Sequence, residues 1–207
     1  MEAYTVSSRS YLARAQQRLE SGASHDLFYA ALELRCGVEA RLQEYLEPHE
    51  FIPLGKRTDW RVGNLHRTMD KHFRLGDQVA RVRIVAQERL LATLYYVPVS
   101  NRLKEIAHRL GDYLHAGKKH HAVHDPYWPA FRALLEEGED LLRQATSGTL
   151  LGPMTIDSRT GQSLMPVELL PDANGVIDDA LRNLRGRSVT LDVSYHPNLA
   201  AASADAA

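Results

Sequence analysis

Between residues 27 and 45 the apolar side chains Leu27, Ala31, Leu34, Val38, Leu42 and Tyr45 return at intervals of three and four. That spacing matches the 3.6-residue turn of an α-helix and lines one face of it. The run therefore predicts a long amphipathic helix, with Ser24 as its N-cap and Pro48 as its stop. Tyr4, Tyr11, Leu12, Ala15 and Leu19 mark an earlier helix that Ser21-Gly22 ends. The short Gly-Ala-Ser link between the two allows only antiparallel neighbours, so the chain should begin with a helical hairpin.

Pro48, Pro53 and Gly55 then predict a loop. Helical spacing resumes near Asn64 to Arg74, and again from Asp77 to about Tyr96 through Val79, Val82, Val85, Leu90 and Leu94, until Pro98. With Ser100 as N-cap, Leu103, Ile106, Leu110, Tyr113 and Leu114 form the next stripe, for which Gly117 is the expected stop. Asp125-Pro126 opens a last helix through Phe131, Leu134, Leu135, Leu141 and Leu142, closed by Ser147-Gly148. The fold class expected is mainly α, a helical bundle over residues 1–148. Beyond it, two strand-like segments around Ser-Arg-Thr-Gly, a helix over 176–184 and the alternating strand SVTLDVSY over 188–195 predict a small ββαβ-like α/β appendage in 149–207. The Ala-rich end, LAAASADAA, is expected to be disordered.

The 207 residues suffice for one sizeable core, and a formal net charge of −1 does not mark the whole molecule as a nucleic-acid binder. The charge is unevenly placed. Lys56, Arg57, Arg61, Arg67, Lys71 and Arg74 face only Asp59 and Asp70, whereas from residue 147 onward four arginines face seven acids. The middle of the chain thus offers a local footprint for an anionic partner. Cys36 is the single cysteine, which excludes intrachain disulfides and multi-cysteine zinc clusters, and it reads as an apolar filler. No apolar leader opens the sequence, and the longest apolar run, Leu90 to Val99, is too short to span a bilayer, so a cytoplasmic location with no membrane contact is expected.

The stretch HRLGDYLHAGKKHH, residues 108–121, carries four histidines, one arginine and two lysines. On a helix over 101–116, His115 lies roughly opposite the buried stripe and Arg109 on its flank, about 120° away. A bend at Gly111-Asp112, with Asp112 capping the next turn, or a symmetric second copy would bring the two groups together. A histidine moves protons near neutrality, and an arginine offers a permanently charged fork to a phosphate. The pair suits attack of an RNA 2′-hydroxyl on its own phosphodiester, without a metal.

The order of helices, the segment HDLFYAALELRCGVEARLQEYL and the segment RLGDYLHA resemble the HEPN superfamily of small helical-bundle proteins over roughly residues 4–146. Nuclease members carry an arginine and a histidine separated by four to six residues, and Arg109 to His115 leaves five. The resemblance implies a dimeric, metal-independent endoribonuclease that acts on RNA in a toxin–antitoxin pair or in antiphage defence, with an antitoxin or a defence-complex protein as partner and no cofactor. It also implies that Arg109 and His115 are the catalytic pair and that Glu39, matching an acidic position of the second helix, positions Arg109. Leu110 departs from the polar residue common after that arginine. Some members are non-catalytic modules that bind a partner protein, which is the alternative function here.

Competing accounts exist for each supporting group. Glu39 is equally suited to pairing with Arg35 at four residues' spacing. Lys118, Lys119 and His120 would contact RNA phosphates beside the site, or form a basic connection that complements the helix C-terminus. His108, Asp112 and His115, at i, i+4 and i+7, with Glu105 a turn earlier, present a weaker divalent-metal pattern on one helical face. Trp60 and Trp128 are expected to pack in or against the core.

Overall fold

The computed structural model describes residues 5–86, 88–115, 121, 122, 124–153 and 189–204, and it divides into two compact units. One takes in Met1–Asp77 with Pro98–Ser147 and is helical, and the other takes in Gln78–Val97 with Gly148–Ala207 and carries a sheet. The chain is mainly helical, with a small three-stranded antiparallel sheet.

In the helical unit, α1 (Ser8–Ser21) and α2 (Ser24–Leu46) form the antiparallel hairpin that the sequence predicts. Gly22, at φ +74°, supplies the left-handed residue that ends α1. Arg14 pairs with Glu33 at 2.8 Å, and at the far end Glu44 accepts both the backbone N–H and the hydroxyl of Ser8 at 2.7 Å each. Ser24 is not the N-cap of α2. That position belongs to Ala23, without a side-chain cap, and the first turn is instead held through Asp26, which accepts from Ser21 and Arg18.

The stripe Leu27, Ala31, Leu34, Val38, Leu42 and Tyr45 is buried as expected. Around it pack α1, α4 (Val62–Phe73), α5 (Asn101–Tyr113) and α6 (Tyr127–Ser147), with the one-turn α3 (Leu54–Arg57) in the loop before α4. Ser100 caps α5 by accepting the Leu103 N–H at 3.2 Å, and Leu103, Ile106, Ala107 and Leu110 face the core. Asp125 Oδ1 accepts the Tyr127 N–H at 2.8 Å where α6 begins, and α6 ends at Ser147 as its boundary residues predict.

The expected helix over Asp77–Tyr96 is overturned. Val79–Ala86 is strand β1 and Arg89–Tyr96 is strand β2, paired antiparallel with Ala80 opposite Tyr96 and Ala86 opposite Arg89. The physical reason lies in VARVRIVA, where Ala80, Val82, Ile84 and Ala86 alternate on a period of two and are all buried. Four of its eight residues are valine or isoleucine, and β-branched side chains favour the pleated strand. Glu88, at φ +62°, supplies the left-handed residue near the turn. The unit that carries the sheet therefore includes this hairpin as well as the chain from 148.

The predicted strand near 188–195 is present as β3 (Val189–His196), which pairs antiparallel with β1 and gives the order β2-β1-β3. The expected hairpin around 154–167 and the helix over 176–184 lie outside the described residues. The Ala-rich end is corrected too, since Leu199–Ala204 is helical. Asn198 accepts the Ala201 N–H at 2.8 Å, Ala202 packs fully buried with Val79 and Val97, and Arg81 of β1 donates to Ala202 O at 3.1 Å. A small alanine fits that contact where a larger side chain would not, and the buried Arg81 needs the carbonyl.

Two expectations follow. Leu110 is 1% exposed, so Leu110→Ala should lower the unfolding free energy in urea by about 2 to 5 kcal/mol, whereas Asp112→Ala on the exposed side should change it by about 0.5 kcal/mol or less. His49, 1% exposed between the rings of Phe51 and Phe73, has no hydrogen-bond partner for either ring nitrogen among the described residues. Burial pushes its pKa down, and burial does the same at His66. Below about pH 6.5 the unfolded chain takes up protons that the native state refuses, so stability present above that pH fades as pH falls through it. Urea denaturation at two pH values should show this decline, and His49→Phe should make it shallower; an unchanged slope would refute the assignment.

Candidate functional site

The expected bend in α5 is absent. The helix runs through Gly111 and Asp112 without a break to Tyr113, and the Leu114 N–H closes it on Leu110 O and Gly111 O at 3.3 Å each. Gly111 serves a different purpose, because a Cβ there would run into the guanidinium of Arg35 on α2. The helix therefore stops before Gly117, and His115 falls two residues beyond its last turn, exposed.

Arg109 is exposed and sits on the α6 side of α5. Glu137 of α6 is held below the ordinary carboxylate pKa first by its fork with Arg102, at 2.7 Å for both contacts, and also by the positive field of Arg109. Arg109 itself has no hydrogen bond or ion pair among the described residues. One turn further on, the Tyr113 ring stacks on Phe131 of α6 at 4.3 Å and 19° and meets Tyr127 at 6.0 Å. α5 thus holds Arg109 on its α6 side, while His115 lies beyond the end of the helix, so helical spacing no longer relates the two.

Glu39 does not reach Arg109 in this arrangement. It is half-buried, its pKa is raised chiefly by burial, and the charges it feels are Arg35, which opposes the rise, and Asp59, which adds to it. Asp59 in turn holds Arg61 at 2.9 Å and Asn64 at 2.8 Å. His108 lies against α4, its Nε2 3.1 Å from where a Cβ on Gly63 would stand. One side of α5 thus faces α2 and α4 through His108 and Gly111, and the opposite side faces α6 through Arg102, Arg109 and Tyr113. Asp112 is exposed between them, with no capping hydrogen bond among the described residues.

The metal pattern loses its alignment because His115 is outside the helix, and no three His, Cys, Asp or Glu side chains among the described residues are placed to hold a metal ion. Lys118, Lys119 and His120 lie outside the described residues. Trp128 is half-buried against Phe28 and Tyr127, but Trp60 is 64% exposed, against expectation, because the loop carries it outward beside Arg61. Burial and two nearby glutamates push the Cys36 thiol up, which fits a filler.

Sequence reasoning treated His121 only as part of a basic, histidine-rich connection. The structure gives it a defined place at the start of α6. Its Nδ1 lies 3.0 Å from Asp125 Oδ2, and its ring stacks on Tyr127 at 3.8 Å and 8°. Asp125 is held below its ordinary pKa first by the Tyr127 N–H and then by His121. The signal available in the sequence was a histidine four residues ahead of the aspartate that opens α6.

No family model, curated protein or solved structure matches this chain. No helix among the described residues is long and apolar enough to cross a membrane.

Gly111→Ala tests the unbroken helix. The displaced group is the flexible end of Arg35, and alanine favours a helix over glycine, so thermal or urea unfolding should show stability kept or raised by up to about 1 kcal/mol. A clear loss would mean that Arg35 cannot move aside at its close approach to Gly111.

Proposed function

We propose that this chain is a metal-independent endoribonuclease of HEPN type, serving a toxin–antitoxin or antiphage system, whose centre is completed by two copies of the chain. The observation that carries the reading is a cationic fork and an imidazole near one end of α5, neither with a hydrogen-bond or ion-pair partner among the described residues. Most arginines of the helical unit are engaged, as in Arg14 with Glu33, Arg41 with Glu44, Arg61 with Asp59 and Arg143 with Glu139. Arg109 has no such partner among the described residues, and exposed His115 has none either.

With no bend at Gly111-Asp112 to bring the pair together, the reading takes a second copy of the chain. Two α5 helices related by a two-fold axis can set Arg109 of one against His115 of the other, because a symmetric contact places each residue opposite the other's partner. The 2′-hydroxyl then attacks phosphorus and gives up its proton as the P–O5′ bond breaks. His115 exchanges the proton, and Arg109 neutralises the charge that grows on the phosphate oxygens. Proton transfer of this kind contributes about 10²- to 10⁴-fold.

A second reading is favoured by a different surface. Phe51, Leu54 and Trp60 are 46%, 66% and 64% exposed, and Leu54 borders a groove of about 270 Å³ lined also by Gln43, Glu47, Arg57 and Thr58. Such a patch suits a non-catalytic module that docks a partner protein.

Incubation of the purified protein with RNA in EDTA separates the two. The nuclease reading expects cleavage by the parent, a loss of about 100-fold or more in Arg109→Ala and in His115→Ala, and partial recovery when the two inactive variants are mixed and exchange subunits. Absence of cleavage by the parent, or equal rates in all three proteins, overturns it.

A further inference from the structure

Cleavage of an RNA phosphodiester through its 2′-hydroxyl moves two protons, one off the attacking oxygen and one onto the departing oxygen. His115 supplies one exchanging group. We propose that His121 supplies the other, as the acid that protonates the 5′ oxygen, with Asp125 as its positioning residue; this rests on the nuclease reading above.

The geometry that points to this is how His121 is held compared with His66, the other histidine paired with an aspartate four residues on. His66 Nδ1 lies 3.0 Å from Asp70, but its Nε2 is spent on Val99 O at 3.2 Å in the core. Both ring nitrogens are occupied, so His66 is a structural link. His121 has the same Nδ1 contact, 3.0 Å to Asp125 Oδ2, but it is only half-buried and its Nε2 has no partner among the described residues. A carboxylate accepts and does not donate, so Nδ1 keeps its hydrogen and Nε2 is the nitrogen that gives or takes a proton. When both nitrogens are protonated, the carboxylate matches the ring's positive charge, which suits an acid better than a base.

Every contact that orients the ring is itself supported. Asp125 uses Oδ2 for His121 and Oδ1 for the Tyr127 N–H at 2.8 Å, so one side chain fixes both the imidazole and the start of α6. The Tyr127 ring, stacked on His121, is braced by Trp128 at 5.0 Å and 81° and by Tyr113 at 6.0 Å. Trp128 is anchored through its Nε1–H to Ala122 O at 2.9 Å. The titratable groups facing His121 among the described residues are Asp125 and Tyr127, with Tyr113 behind Tyr127. Tyr113 follows Arg109 by one turn of α5 and precedes His115 by two residues, so the dyad lies at the end of the bundle where α5 stops and α6 begins.

In the step itself the 2′-oxygen bonds to phosphorus and loses its proton to His115, the P–O5′ bond breaks, and the Nε2 proton of His121 passes to O5′. The products are a 2′,3′-cyclic phosphate and a 5′-hydroxyl, and no oxidant, reductant or metal is consumed.

The test compares two RNAs in EDTA, one ordinary and one whose scissile 5′ oxygen is replaced by sulfur, since a thiolate leaves without needing a proton. On ordinary RNA His121→Ala and His121→Gln should lose about 10²- to 10⁴-fold under single turnover, and the alkaline limb of the pH–rate profile should vanish. On the sulfur-linked RNA both variants should return to near the parent rate, whereas His115→Ala should not. Asp125→Asn should show a smaller loss with the alkaline limb displaced. Parent-like cleavage of ordinary RNA by both His121 variants, or equal losses on both linkages, overturns the role of His121 and leaves the nuclease reading standing. Failure of the parent to cleave either RNA removes both. Thermal unfolding of each variant identifies any that fails to fold, and the glutamine variant, which keeps a polar side chain of similar reach, then decides.

Discussion

Packing of α2 against four neighbouring helices is the constraint on which the rest of the helical unit depends. Its apolar stripe alone would allow those helices to slide, because hydrophobic contact is not directional. The register is fixed by Arg41, which is 3% exposed and therefore must be paired. Its Nε donates to Ala145 O at 3.2 Å, its NH1 meets Glu44 at 3.1 Å, and its guanidinium lies 4.3 Å from the centre of the Tyr45 ring. The Tyr45 hydroxyl donates to the same Ala145 carbonyl at 3.1 Å, and Arg9 of α1 donates to Thr146 O next to it. One end of α6 is thereby tied to α1 and α2, and α5 is placed by packing against α2 and α6.

The helices were legible in the sequence because their apolar positions follow a single period and their ends carry the right punctuation. Ser100 and Gly22 do what a cap and a stop should do. The stretch from 77 to 96 was misread for a definable reason. Val79, Val82 and Val85 fall three apart, as on a helix, while Ala80, Val82, Ile84 and Ala86 fall two apart, as on a strand. Periodicity cannot choose between the two, and the preference of valine and isoleucine for strands should have decided it. The final helix was illegible because its stability comes from Arg81 and Val79, more than a hundred residues earlier in the chain.

The candidate site was legible in part. The sequence was enough to place Arg109 and His115 off the buried stripe, but it put His115 on α5, which ends at Tyr113. Reading Gly111 as a hinge failed, since a glycine can answer crowding as well as bending, and the crowding comes from Arg35 on a helix some seventy-five positions earlier. Leu110, where the superfamily that the sequence resembles commonly has a polar residue, has a structural cause in its burial at 1%. Trp60 was misplaced because hydrophobic side chains predict burial only when a neighbouring element covers them. The pairing of His121 with Asp125 was missed because its spacing has meaning only once Tyr127 is known to begin a helix.

Each side of α5 is committed to a different neighbour, and this decides where chemistry is possible. Leu103, Ile106, Ala107 and Leu110 are spent on the core, His108 and Gly111 abut α4 and α2, and Arg102 and Tyr113 are engaged with α6. A substrate as large as a nucleic-acid strand cannot enter between helices packed this closely. It can approach the end where α5 stops and α6 begins, near exposed His115 and the half-buried His121. On the nuclease reading proposed above, Arg109, on the α6 side, serves that end from a second copy of the chain. The straightness of one helix thus turns a question about two side chains into a question about how two chains meet.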